Sequence, residues 1–251
     1  MKLIAISDTH GYLPKIDDIP ECDVICHCGD LVPLEYQNNL GESLGWFHLD
    51  FLHWVDNLPC KKFVFIAGNH DFFLQDLMYA RRPDFSIKMR SPKEVLKILL
   101  PGNHKSEHSK LVYLRDNSVE IEDKRIYGTP WISGLNGWAF NKYEEELETD
   151  FYSKIPKKCD VLLTHMPPAI GEVGVVHERG ANYGNDYSSY ALAEVLRNRD
   201  VHYAFCGHVH SGQSKPFSYE AQGDREHYVA NVSVKDERYL VKPQNYKIFE
   251  I

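Results

Sequence analysis

A mixed α/β sandwich is the fold class that this 251-residue chain predicts, and three observations predict it. Five short apolar runs, rich in β-branched and aromatic residues, each break at once into polar residues. Amphipathic helical patterns fall between these runs. An alternating stretch in the middle of the chain and the tail from Tyr228 to Ile251 carry β character as well.

The first two runs are Leu3-Ile4-Ala5-Ile6 and Val24-Ile25-Cys26-His27. Apolar character sustained this way reads as strands buried on both faces, as in a sheet covered by helices. From Ser43 to Leu58, the residues Leu44, Phe47, Phe51, Trp54 and Leu58 recur at three- and four-residue steps, which marks one buried helix face. The third strand is Phe63-Val64-Phe65-Ile66-Ala67. Ser91-Pro92-Lys93-Glu94 is a capping box with proline at the first helical position; Val95, Leu96, Ile98 and Leu99 follow, and Pro101-Gly102 ends the helix. Leu111 to Tyr127 alternates and turns at Asp123-Lys124, which predicts a hairpin. Val161-Leu162-Leu163 and Tyr203-Ala204-Phe205-Cys206 are the last two runs, with a helix expected between them from about Ser188 to Arg199.

Composition bounds the function. Acidic residues outnumber basic ones 36 to 28, a net charge of -8 that argues against generic coating of nucleic acid. A hydrophobic share of 43% suffices for a core and excludes wholesale disorder. The apolar runs fall far short of the ~20 residues of a membrane helix, so no membrane partner is expected. Met1 to Ser7 is too brief for a signal peptide, and six cysteines without a CxxC pair read as reduced, mostly buried thiols. A cytoplasmic protein is the expectation. No repeat, low-complexity tract or long linker interrupts the chain, so residues 1–251 read as one domain. The unusual count is 13 histidines.

Many of them stand where strands end. Asp8-Thr9-His10 follows the first run, Gly29-Asp30 the second, Gly68-Asn69-His70-Asp71 the third, Thr164-His165 the fourth and Gly207-His208-Val209-His210 the fifth. Ligands of open α/β sheets bind beyond the carboxyl ends of the strands, so the five tips should converge on one crevice. Side chains at i and i+2 can reach one centre from a turning backbone, as Asp8 with His10 or His208 with His210. Aspartate, imidazole and one amide suit manganese, iron, zinc, nickel or cobalt, whereas so much imidazole disfavours calcium.

The ordered series DxH, GD, GNHD, TH and GHxH, each piece after a buried strand, resembles the calcineurin-like metallophosphoesterase superfamily. Tyr127-Gly128-Thr129-Pro130-Trp131, Asn136-Gly137-Trp138-Ala139-Phe140-Asn141 and Thr164-His165-Met166-Pro167-Pro168 are similar to metallophosphoesterase-domain proteins of the 239FB type, a subgroup associated with cyclic-nucleotide phosphodiesterase activity. The resemblance implies a four-layer sandwich, two facing mixed β-sheets flanked by helices. It also implies two divalent ions, with manganese the first expectation in vitro. On that pattern Asp8, His10 and His210 hold one ion, Asn69, His165 and His208 the other, and Asp30 bridges them. His70 becomes the general acid, and Asn69 and His70 also face the substrate. Seven ligands with two formal negative charges leave a dinuclear centre net positive, which favours a phosphate oxyanion and a bridging hydroxide as nucleophile near neutral pH. The strings Gly29-Asp30-Leu31-Val32-Pro33 and Ala67-Gly68-Asn69-His70-Asp71 lack the extra Asp-Arg-Gly and Arg of protein phosphatases, so a phosphoprotein substrate is not expected.

The expected function is therefore hydrolysis of phosphodiesters, with cyclic or other small nucleotides in the lead. Two alternatives stand beside it. Residues 81–110 hold 8 Lys or Arg against 3 Asp or Glu, which could serve a nuclease or end-processing phosphatase on polynucleotides or be a solvated helix face. A non-catalytic, metal-stabilised scaffold is the other. The loop after His165 holds His177, Arg179, Asn182, Tyr183, Asn185 and Tyr187 with Gly180 and Gly184, and reads equally as a substrate-contacting or an ordinary surface loop; Arg179 and Tyr183 are its leading substrate-contact candidates. Trp131, Trp138 and Phe140 could stack on a base, but core packing is the plainer reading. Asp71 is expected either to orient a histidine or to cap the helix that follows it.

Overall fold

The computed structural model describes residues 1–79, 110–244 and 246–251. The helix expected from Ser91 and nearly all of the basic 81–110 segment lie outside them. Five strands form one sheet in the order β13-β1-β2-β3-β4: β1 is Lys2–Ile6, β2 Cys22–His27, β3 Cys60–Phe65, β4 Leu111–Tyr113 and β13 Lys247–Glu250. The neighbours β1 to β4 run parallel, and β13 closes the edge antiparallel to β1. A six-stranded sheet has the order β11-β12-β10-β9-β6-β5, with β5 Asn117–Ile121, β6 Lys124–Thr129, β9 Lys158–Thr164, β10 Asp200–Cys206, β11 Phe217–Ser218 and β12 Tyr228–Asn231. The short pair β7 (Ile132–Ser133) and β8 (Asn141–Lys142) stands apart.

Period-two alternation sorts each buried strand into two packing layers. Leu3, Ala5, Val24, Cys26, Val64 and Ile66 of one sheet share a core cluster with Ile126, Val161, Leu163, Phe205 and Ala230 of the other, so the sheets face each other. The opposite faces, through Ile4, Ile25, Phe63 and Phe65 on one sheet and Leu162 and Ala204 on the other, belong to the clusters that take in the helices. The architecture is the expected four layers.

On the first sheet lie α1 (Leu40–Trp46) and α2 (Leu52–Asn57), joined by a π-helical turn at Phe47–Phe51. Asn39 caps α1 by accepting the Gly41 and Glu42 N–H groups. The apolar stripe read from Ser43 to Leu58 thus belongs to one helical run with a π-turn inside it. Phe51 and Trp54 each pack on Phe63 at 5.6 Å between ring centroids. Helix α3 (Phe72–Tyr79) follows Asp71. A three-residue turn, α4 (Glu144–Glu146), precedes β9. Helix α5 (Tyr190–Arg197) covers the second sheet, capped by the Ser189 side chain on the Leu192 N–H.

One expectation is corrected. The hairpin turning at Asp123-Lys124 is β5–β6, but Leu111–Tyr113 is not part of it. That segment pairs parallel with β3 in the other sheet. Alternation is the same in both settings, and only the left-handed turn at Asp116 (φ +53°) redirects the chain between sheets. All six cysteines are buried, and none is joined in a disulfide. Among the described residues no helix is long and apolar enough to cross a membrane.

Candidate metal centre

Parallel strands deliver five loops to one end of the sandwich. Asp8 and His10 follow β1, Asp30 follows β2, Asn69 and His70 follow β3, His165 follows β9, and His208 and His210 follow β10. The first three loops leave one sheet and the last two leave the other. Asp8, His10, Asp30 and His208 all have positive φ, from +43° to +70°. Outside glycine this left-handed backbone is sparsely populated and clusters at functional sites. Here it swings side chains two residues apart toward the same point.

The seven residues assigned to metal on the family pattern come together. Asp8, His10 and His210 offer ligand atoms within 4.8 Å of one another, and so do Asp8, Asp30 and His165. Asn69 Oδ1 lies 2.9 Å from His165 Nε2 and 2.8 Å from His208 Nδ1. Asp30 stands between the groups, its Oδ2 at 3.3 Å from His165 Nε2 and 3.9 Å from His10 Nε2. Its N–H neighbours are also built in, since His70 N–H donates to Asp30 Oδ1 at 2.8 Å.

The donor set fits cations. His165 Nδ1–H donates to Cys28 O and His210 Nδ1–H to Asp236 O, so the Nε2 of each faces inward. His210 Nε2 meets another ring nitrogen, His10 Nε2, at 3.2 Å, and a carboxylate oxygen of Asp8 at 3.6 Å. Ring nitrogens and carboxylate oxygens gathered this closely suit a cation or a shared proton between them. Without an ion, His165 itself answers: burial opposes its charge, but the facing Asp30 more than offsets this and holds the imidazole up at about 9. Burial presses His10 and His208 down to about 3, which keeps both as the neutral imidazoles a metal binds.

A supporting layer holds these ligands. Asp8 Oδ2 accepts from Ser233 Oγ at 2.5 Å, and both Asp8 oxygens accept the His208 N–H. Asp71 neither orients a histidine nor caps α3. Its buried carboxylate accepts four backbone amides: Gly68 at 2.8 Å, Asp30 at 2.9 Å, Val32 at 3.0 Å and Leu31 at 3.1 Å. Burial and the neighbouring Asp30 push its carboxyl up to about 7, against those amides. Gly207 has a steric reason: a Cβ there would run into Ser7 Oγ and Asp8 Oδ2.

A cleft of about 260 Å³ opens onto the centre, lined by Asp30, Asn69, His70, Trp138, His208 and His210 among others. His70 Nδ1 pairs with Gln37 Oε1, its Nε2 is 3.8 Å from Asp30 Oδ2, and burial lowers its pKa. His70 also falls within a ligand-distance group with His10 and Asp30. Arg179 and Tyr183 are exposed and outside the cleft lining; Asn182 and Tyr187 of the same loop take that place. Trp131 and Phe140 are core residues as read, but Trp138 is only partly buried and lines the cleft. Sequence reasoning missed Gln37, Glu237 and Tyr239, whose loops carry no periodic signal. Away from the centre, His227 is buried and hydrogen-bonded to Val201 O.

The fold and the centre define an α/β sandwich with His/Asp clusters able to hold metal, and comparison with known proteins gives it a family. Residues 1–212 match the calcineurin-like phosphoesterase family, and the chain belongs to that family. It is 29% identical over 219 residues to metallophosphoesterase domain-containing protein 1 of Homo sapiens, covering 84% of this chain and 61% of that protein. It is 28% identical over 218 residues to UPF0046 protein T07D4.2 of Caenorhabditis elegans, covering 84% of this chain and 52% of that one. The chain thus spans less than two thirds of either relative. The solved structure of a phosphopantetheinyl hydrolase from Mycobacterium tuberculosis shares the fold, with a TM-score of 0.50 at 14% identity over 99% of this chain and 95% of that one.

Proposed function

We propose that the protein is a metal-dependent hydrolase of phosphodiesters, with cyclic or other small nucleotides as leading substrates and manganese, iron, zinc, nickel or cobalt as candidate ions. The observation that carries the reading is two converging ligand groups with Asp30 between them. Two bound divalent ions would supply Lewis-acid charge to the phosphoryl oxygens and lower the pKa of the attacking water. Asp8, His10 and His210 would hold one, Asn69, His165 and His208 the other, and Asp30 both. Asn69 and His70 face the cleft and are placed to orient the ester. With Nδ1 directed at Gln37 Oε1, His70 presents Nε2 to the centre, where a proton can pass to the departing alkoxide.

The test is a screen of mono-, di- and cyclic phosphate esters with the metal varied. Turnover of diesters by the manganese-loaded protein is expected. A protein that binds two equivalents of metal yet cleaves no aryl phosphate ester would overturn the reading and favour the scaffold.

A further inference from the structure

Between β12 and β13 the chain leaves the sheet and doubles back over the centre. Residues 234–242 form a small hairpin, closed by Asp236 N–H on Leu240 O and Lys242 N–H on Val234 O, both at 2.8 Å. It is fastened to the loop of ligands: Asp236 O accepts from His210 Nδ1 at 2.9 Å, and Glu237 Oε1 accepts from Ser211 N and Oγ at 2.7 Å. Glu178 holds its other flank through the Glu237 N–H and the Arg238 guanidinium. At the tip Tyr239 has φ +62°, a conformation that a bulky side chain keeps only where its surroundings enforce it.

That enforced turn sets the Tyr239 ring edge-on to two ligands, 5.1 Å from His10 and 4.9 Å from His210. On the other side Trp138 lies 4.6 Å from His70, and His70 lies 4.7 Å from His10. Four rings therefore touch in succession, Trp138 on His70, His70 on His10 and His10 on Tyr239, so that the two outer rings are joined through a proposed ligand and the acid candidate. Both end rings line the cleft, and neither is absorbed by the core. The Glu237 carboxylate lines it too, next in sequence but one to Tyr239.

We infer that Trp138 and Tyr239 are separate subsites for the two ester groups of an open phosphodiester, an inference that rests on the hydrolase reading. The phosphoryl group belongs over His10, Asp30 and His70. The departing group is the one beside the acid, so it packs on Trp138. The retained group points to the opposite end and packs on Tyr239. Glu237 disfavours a second negative charge there, so the retained group is flat and uncharged or cationic. A phosphomonoester fills only the Trp138 end. A cyclic nucleotide, with both ester oxygens on one sugar, can offer its base to only one ring. Open diesters with a flat group on each oxygen use both.

Calorimetric binding to the manganese-loaded protein reads this directly, with diphenyl, methyl phenyl and dimethyl phosphate as probes. Diphenyl phosphate should bind tighter than dimethyl phosphate, each aromatic contact contributing roughly three- to tenfold. Tyr239→Gly removes the ring while suiting the left-handed turn, and should weaken diphenyl phosphate by one such step more than it weakens dimethyl phosphate. Tyr239→Phe should restore it. In turnover, release of p-nitrophenol from methyl p-nitrophenyl phosphate should fall more in Trp138→Ala than in Tyr239→Gly, whereas the bis-p-nitrophenyl ester should fall comparably in both. Equal affinity for diphenyl and dimethyl phosphate would overturn the subsites, as would an equal loss for both in Tyr239→Gly. Discriminating binding with no turnover of either ester would sink the hydrolase reading alone; turnover without discrimination would sink the subsites alone.

Discussion

Asp71 offers the sharpest test of how the site is held, because it touches no substrate. Its carboxylate accepts from four buried backbone amides on two loops, those of Gly68, Asp30, Leu31 and Val32. Above its raised pKa of about 7 the group is charged, and a hydrogen bond to a charged group then contributes about 1.5–3 kcal/mol, shared acceptors not being additive. Asp71→Asn keeps the size but turns an NH₂ donor toward amides that can only donate. At least one amide then goes unpaired, for a loss of about 2–4 kcal/mol. In a chain of this length that lowers the melting temperature by roughly 5–15 °C. The same change frees the left-handed turn at Asp30, so metal content should fall in parallel. Differential scanning calorimetry with and without manganese, alongside elemental analysis, reads both. A variant that melts within a degree of wild type and holds two ions would refute the reasoning.

Four further outcomes are expected. His70→Ala should lower turnover about 10²–10⁴-fold with metal content kept; loss of both ions would make His70 a ligand instead. Gly207→Ala should displace Asp8 and deplete the Asp8/His10/His210 group of metal, which anomalous scattering or titration would locate. Chelation should lower the melting temperature, since ligand at a hundredfold excess over Kd contributes about 2.7 kcal/mol; an unchanged melt would argue against metal at this centre. Far from the site, Arg225 binds Asp200 at 2.5 Å and Asp160 at 2.8 Å, so Arg225→Met should cost about 2 kcal/mol in urea unfolding. Although burial opposes it, Asp160 is held below its usual pKa by the Arg125 N–H and Arg225. That stability is present above the ordinary aspartate pKa and lost as pH falls through the depressed one, so the variant's deficit should shrink in strong acid.

Most of the proposed ligand set could be placed from sequence because each member follows a strand. A buried parallel strand is a near-continuous apolar run, its end is abrupt, and whatever polar residue comes next must sit at the sheet's carboxyl edge. Asp8, Asp30, Asn69, His165 and His208 could be placed on that ground before any coordinates. The cleft walls obey no such rule. In the loop after β9, the Val175–Asp186 bridge folds the chain back and decides which side chains turn inward. It brings Asn182 and Tyr187 to the cleft and leaves Arg179 and Tyr183 outside, a choice no local pattern records. Gln37, a few residues beyond Asp30, and Tyr239, well beyond His210, reach the site from loops that carry no periodic signal. Leu111–Tyr113 went to the other sheet for a related reason, since alternation specifies a face but not a partner strand.

The distribution of ligands between the sheets has a consequence for stability. Asp8, His10, Asp30 and Asn69 come from one sheet; His165, His208 and His210 come from the other. Each proposed ion therefore joins the sheets at their carboxyl ends. Farther along the strands, the apolar layer from Leu3 to Phe205 already holds them face to face without metal. The metal-free protein should thus keep its fold and loosen only at the ligand loops, where four left-handed residues and a cluster of acceptors lose their compensating charge. Hydrogen exchange would see this as local opening at residues 8–10, 28–32, 68–71 and 207–211, with β1, β2, β9 and β10 protected in both states. Global loss of protection on chelation would mean that the ions, and not the apolar layer, keep the sheets together.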